Sequence, residues 1–229
     1  MCRMLAYRGN DKDYLSKLAT CLSKSAFKDP LSGDVHGDGW GIVALSKDKL
    51  IHYRSAKPIF SEVDVLQSLI KSLDGEFRVI IHARLATEKK LVSQYLSHPY
   101  LETSPKSILF LAHNGSVNKN VIGDLLKIDT SLMVDSEVLA KYLIIQGIEK
   151  LNYLKDITES ALNLFMLQID RESKESHLYY YNFYKKDKIK RTEEYYKLYF
   201  YKNAVFSSSL AYTGCEKEGE VKFGELGEL

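Results

Sequence analysis

Cys2 stands directly behind Met1, a position that can itself carry chemistry. Initiator methionine is generally removed before small residues, cysteine included. Removal would leave one residue bearing both a thiol and a free α-amine. An α-amine has an unperturbed pKa of about 7.7–8.0, so it accepts a proton near neutrality. A nucleophile served by its own N-terminal amine is a known answer to the problem of activation. A second-position cysteine can equally be an inert core residue, and Cys2 alone does not decide.

Three further segments offer matching groups. His82-Ala83-Arg84-Leu85-Ala86-Thr87 puts an arginine at the end of an apolar run, where side chains are commonly presented to a ligand. Ala112-His113-Asn114-Gly115 ends the next run with an amide side chain and a flexible backbone. The Asn114 side-chain N–H and the Gly115 backbone N–H can both donate to one developing oxyanion, although Asn-Gly is also a common turn dipeptide. Val134-Asp135-Ser136-Glu137-Val138 sets Asp135 at a helix start, where Asp and Ser also serve as plain caps. The six histidines, at 36, 52, 82, 98, 113 and 177, show no paired spacing suited to a metal. His82 and His113 read as hydrogen-bonded structural residues, Asp38 as the residue fixing a turn beside the nucleophile, and Cys21 as core.

These groups need elements to hold them. Val79 to Arg84 and Ile108 to Ala112 are nearly continuous apolar runs, the mark of strands covered on both faces. Trp40 to Leu45 and Leu50 to Ser55 read as strands joined by a polar turn. Asn163 to Asp170, His177 to Tyr184, Tyr195 to Tyr201 and Val205 to Ser208 supply further strands. Helical spacing appears at Tyr14, Leu15, Leu18, Ala19 and Leu22, at Val63, Leu66, Leu69, Ile70 and Leu73, and at Val138, Leu139, Tyr142 and Leu143. The Gly- and Glu-rich stretch 215–229 reads as a loosely held tail.

In their order these pieces resemble the class II glutamine amidotransferases, of the N-terminal-nucleophile hydrolase superfamily. Met1-Cys2-Arg3-Met4-Leu5-Ala6-Tyr7 and Gly37-Asp38-Gly39-Trp40-Gly41-Ile42 look like the small stand-alone branch, which is similar to γ-glutamyl hydrolases of glutathione and ergothioneine metabolism. His82 to Thr87, Ser97-His98-Pro99, His113-Asn114-Gly115 and Asp135-Ser136-Glu137 follow in the family order, and Val205 to Leu210 is a weaker version of the late strand. The resemblance implies an α+β fold, a four-layer αββα sandwich, in a single type-2 amidotransferase domain over 1–229. It implies Cys2 as nucleophile, with Asn114 and Gly115 as the oxyanion hole. It implies Arg84 for a glutamyl α-carboxylate, Thr87 beside it and Asp135 for the α-ammonium. Leu85 stands where many relatives carry tryptophan, and Glu88 where several carry histidine. The implied substrate is glutamine or another γ-glutamyl amide, with no metal or organic cofactor. The ammonia or amine is either simply released or passed to a separate synthase subunit. If Met1 stays attached, the alternative is a non-catalytic binding module that keeps the fold.

Composition narrows the field further. The 229 residues fit one large domain or two small ones, and neither linker nor repeat divides them. Lys and Arg number 32 against 30 Asp and Glu, a balance that gives no argument for nucleic acid or an acidic membrane. No apolar run is long enough to span a bilayer, and no signal-peptide pattern opens the chain. Cysteines at 2, 21 and 215 form no close pair in sequence, which argues against a disulfide framework and for the cytoplasm. The basic run Lys185 to Arg191, flanked by tyrosines, reads as a solvated hairpin loop rather than a single-strand nucleic-acid site.

Overall fold

The structure, a computed structural model, describes residues 2–229. In chain order the first half contains β1 (Arg3–Gly9), α1 (Lys12–Phe27), β2 (Trp40–Ser46), β3 (Leu50–Ser55), α2 (Val63–Lys71), β4 (Phe77–Ala83), β5 (Tyr100–Thr103) and β6 (Ser107–Val117). There follow α3 (Lys119–Leu126), α4 (Asp135–Gln146), α5 (Leu151–Ile157), β7 (Thr158–Asp170), β8 (Ser176–Tyr181), β9 (Leu198–Tyr201), β10 (Ala204–Ser207), β11 (Gly219–Glu220) and β12 (Leu226–Glu228). Among the described residues the strands form two antiparallel sheets, ordered β11-β9-β10-β1-β4-β2-β3 and β12-β8-β7-β6-β5.

Side-chain alternation turns these sheets into four layers. On β1, Leu5 and Tyr7 join the cluster with α1 and α2, whereas Met4 and Ala6 face the other sheet. On β4, Val79, Ile81 and Ala83 take the helix side and Ile80 the sheet side. The second sheet mirrors this: Leu109 and Leu111 of β6 pack with α3, α4 and α5, while Phe110 and Ala112 meet the first sheet. Helix, sheet, sheet, helix is the αββα sandwich, and both nearly continuous apolar runs are its doubly covered central strands. On α1, Leu15, Leu18, Ala19, Leu22 and Ala26 are buried at helical spacing. Each such leucine stabilises by roughly 1.5–3 kcal/mol. Asp11 sets the start of α1 by accepting from Tyr14 N at 2.8 Å.

Two expectations give way. The segment 215–229 is not a loose tail: β11 pairs with β9 and β12 with β8, so it finishes one edge of each sheet. Its glycines permit close pairing, since a Cβ on Gly227 would lie 2.1 Å from the Tyr180 ring. The basic run is not a hairpin loop, because β8 and β9 belong to different sheets and the segment crosses between them. Lys186 pairs there with Glu193 at 2.6 Å and Arg191 with Asp34 at 2.5 Å.

Candidate active site

The pairing of β1 with β4 sets Arg3 opposite Ala83, which brings Cys2 to the end of β4 where Arg84 leaves the sheet. The second sheet reaches the same point through β6. His82 of β4 lies with Nε2 3.3 Å from the His113 carbonyl, a link between the two sheets at the site.

Cys2 is 8% exposed and held on several sides. Its backbone N–H donates to Asn114 Oδ1 at 2.6 Å. The Leu85 N–H donates to Cys2 Sγ at 3.4 Å, and the thiol faces the Leu85 carbonyl at 3.8 Å. Because a nitrogen donor faces Asn114, the facing atom must be the amide oxygen. Nδ2 is thereby left without a partner among the described residues and free to donate to a ligand.

Asn114 and Gly115 form no turn. They lie inside β6, opposite Asn163 and Leu162 of β7, just before a register shift between Gly115 and Val117. A Cβ on Gly115 would stand 1.8 Å from the Ala161 carbonyl oxygen, so only glycine lets β7 approach this closely.

A cavity of about 370 Å³ opens over Cys2, lined by Arg84, Thr87, Gly115 and Asp135 among others. That is a small-molecule volume. Arg84 is 6% exposed and donates to the Leu91 carbonyl at 3.0 Å, with no acidic partner among the described residues. Asp135 opens α4 and accepts from Val117 N at 3.2 Å and from Ser136 N at 2.8 Å, with no cationic partner among them. Its bond to Val117 ties α4 to the end of β6, which is more than a cap does. Thr87 is exposed at the cavity rim. Five of the six expected site residues thus line one cavity, with Asn114 buried beside Cys2.

Sequence reasoning missed several contributors. The Leu85 N–H is a backbone donor and leaves no sequence signal. Asp38, read as fixing a turn, accepts from Ala86 N at 2.8 Å and from Lys89 Nζ at 2.5 Å, and so holds the segment after Arg84 over the site. Lys119 donates to the carbonyls of Thr130 at 2.9 Å and Met133 at 2.6 Å, fixing the loop that leads to Asp135. His98 is buried on the cavity wall with its ring centroid 4.0 Å from that of His82. Neither of its ring nitrogens has a partner among the described residues. Burial pushes His82 down to about 3 and lowers His98 and His113, so all three are neutral near pH 7. His113 is spanned between Ser136 Oγ at 2.9 Å and the Ala161 carbonyl at 3.2 Å, a structural arrangement. Cys21 is core, but Cys215 lies beside it in the same cluster, close enough for one thiol to bond the other. The sequence separation of the two concealed this.

No family model matches the chain, and no curated protein matches it. Solved structures do. One, described as the allosteric regulatory enzyme of purine biosynthesis, is 19% identical with a TM-score of 0.64. It matches 99% of this chain, which spans 46% of that enzyme's length. The fold is that of the class II glutamine amidotransferases. Two further matches are a glutamine aminotransferase class-II domain protein from Silicibacter pomeroyi and a predicted glutamine amidotransferase from Pseudomonas aeruginosa PA01. They are 16% and 14% identical, with 98% of this chain covered by each and 93% and 82% of theirs. Their TM-scores are 0.47 and 0.35, and the likeness of fold rests on the first match. Among the described residues no helix of this amidotransferase fold is long and apolar enough to cross a membrane.

Proposed function

We propose that this chain is a cytoplasmic amidohydrolase that cleaves γ-glutamyl amides through Cys2 as its N-terminal nucleophile. The observation that carries the reading is the pair Arg84 and Asp135. They are a cation and an anion lining one cavity, neither ion-paired among the described residues, beside a cysteine held at nitrogen and sulfur. A glutamyl group offers a carboxylate and an ammonium on one carbon, complementary to both. Met1 lies outside the described residues, and the reading requires its removal.

Each step then has its group. The α-amine takes the thiol proton, and the thiolate attacks the side-chain amide carbon. Asn114 Nδ2 and the Gly115 N–H receive the oxyanion, whose charge exists only beyond the ground state. The α-ammonium returns its proton to the leaving nitrogen, which departs as ammonia or an amine. Water then hydrolyses the thioester. Arg84 and Asp135 hold the amino-acid end, with the Thr87 hydroxyl near the carboxylate. No step asks for a metal or organic cofactor.

A second reading is that of a glutaminase feeding ammonia to a synthase; the enzyme matched at a TM-score of 0.64 is about twice as long as this chain, which spans 46% of it. The test is nitrogen release from a panel of γ-glutamyl amides and peptides, using protein verified to begin at Cys2. Turnover by the purified chain alone supports the hydrolase. Silence with every compound, followed by activity on adding a synthase, supports the ammonia donor. Activity surviving in Cys2→Ala protein refutes both.

A further inference from the structure

Arg3 is fully buried, yet it serves more than the core. Its Nε pairs with the Asp29 carboxylate. Its Nη1 donates to two carbonyls, that of Cys2 at 3.3 Å and that of Tyr195 at 3.2 Å. The guanidinium also lies flat over the Tyr195 ring, 3.7 Å from its centroid. Asp29 is fixed in turn: Oδ1 accepts from Leu31 N at 2.9 Å and Ser32 N at 3.0 Å, and Oδ2 lies 3.4 Å from His36 Nε2. Burial raises the Asp29 carboxyl, but the facing His36 ring and the paired Arg3 guanidinium outweigh that and hold it below the usual carboxylate range.

The Cys2 carbonyl is the significant partner. Once Met1 is gone, no chain on the amino side restrains Cys2. Its geometry then depends on three contacts: the amine to Asn114 Oδ1, the sulfur to Leu85 N, and the carbonyl to Arg3. Leu85 lines the cavity and Asn114 is buried beside Cys2, whereas Arg3 is a fully buried residue outside the cavity lining. The carbonyl contact sets the Cys2–Arg3 peptide plane, and hence the direction in which both thiol and amine point.

We propose that Arg3, braced by Asp29 and Tyr195, is a positioning residue that aims the Cys2 nucleophile. The proposal rests on the amidohydrolase reading for its catalytic consequence. Misplacing an attacking group by about 1 Å can cost on the order of a hundredfold in rate. Arg84 and Asp135, which hold the substrate, are untouched by Arg3, so the loss belongs in kcat.

The experiment compares wild type with Arg3→Lys and Asp29→Asn, each checked for a cooperative thermal transition. Lysine keeps the charge but cannot serve Asp29 and both carbonyls together; Asp29→Asn leaves Arg3 in place with a weaker brace. With a γ-glutamyl amide, Arg3→Lys is expected to lower kcat at least tenfold with KM within twofold. Asp29→Asn is expected to shift it in the same direction, which covers an Arg3 variant that fails to fold. A lowered melting temperature with kcat per folded molecule unchanged would mean a purely structural ion pair and overturns the proposal. Alkylation of Cys2 by iodoacetamide, located by mass spectrometry, is measured on the same samples. It should slow at least fivefold in the variants, because the freed thiol loses the Leu85 N–H and its fixed relation to the amine. If wild type turns over no γ-glutamyl compound, the functional reading fails and this rate still decides for Arg3: slowed supports positioning, unchanged refutes it.

Discussion

Acidification should weaken this fold well before its carboxylates titrate. His82, His98 and His113 meet where the two sheets come together, each held neutral by burial. In the unfolded chain each takes a proton near pH 6.5; in the folded chain His82 stays neutral down to about 3, and burial holds His98 and His113 below their ordinary value. Between those limits the unfolded state binds more protons, so stability rises with pH and falls as pH drops below about 6.5. From pH 7 to pH 5 the loss is about 1.9 kcal/mol for His82, and His98 and His113, also lowered by burial, add to it in the same direction. Against the net stability of an ordinary domain, about 5–15 kcal/mol, this is a readily measured loss. Urea melts at half-unit steps between pH 7.5 and 5 measure it. His98→Gln, whatever its own cost, should make the slope shallower, since one lowered histidine is gone. A stability flat from pH 7 to 5, or a slope unaltered in His98→Gln protein, would refute the reasoning.

Three site predictions follow from the same geometry. Asn114→Ala should lower kcat by about 10²–10³, the usual cost of one oxyanion donor, with a much smaller change in binding of the ground-state amide. Steady-state kinetics check this, and loss of affinity at unchanged kcat would make Asn114 a substrate-binding group instead. Asp135→Asn keeps the shape and removes the charge, so kcat/KM for glutamyl substrates should fall on the order of ten- to a hundredfold. A substrate without the α-amine should be spared; equal losses would leave Asp135 as a link between α4 and β6. Asp38→Ala frees the Ala86 N–H and Lys89 together and should raise KM more than it lowers kcat, read from the same assay.

Much of the fold was legible because it depends on local pattern. Val79 to Arg84 and Ile108 to Ala112 are apolar on both faces because both faces are covered, and Leu15, Leu18 and Leu22 mark α1 by spacing alone. β1 was passed over because Arg3 and Arg8 interrupt its apolar run, although Arg3 is as buried as its neighbours. Which sheet a strand joins has no local signature, so the crossing from β8 to β9 looked like a hairpin and 215–229 looked loose. Arg84 and Asp135 were visible because each sits at the end of a recognisable element, and Asn114 because it follows the apolar run of β6, although the strand continues past it. The brace of Arg3 on Asp29 and Tyr195, and the meeting of Cys21 with Cys215, exist only through tertiary placement.

The most direct test of the central claim is to treat protein verified to begin at Cys2 with a glutamine-like electrophile, and to follow nitrogen release and the labelled peptide together. One adduct per chain, on the N-terminal peptide at Cys2, formed in step with loss of turnover and prevented by a γ-glutamyl amide, is the predicted result. Label on Cys21 or Cys215, or full turnover in Cys2→Ala protein, would contradict it, since neither of those cysteines has an α-amine of its own to serve as base.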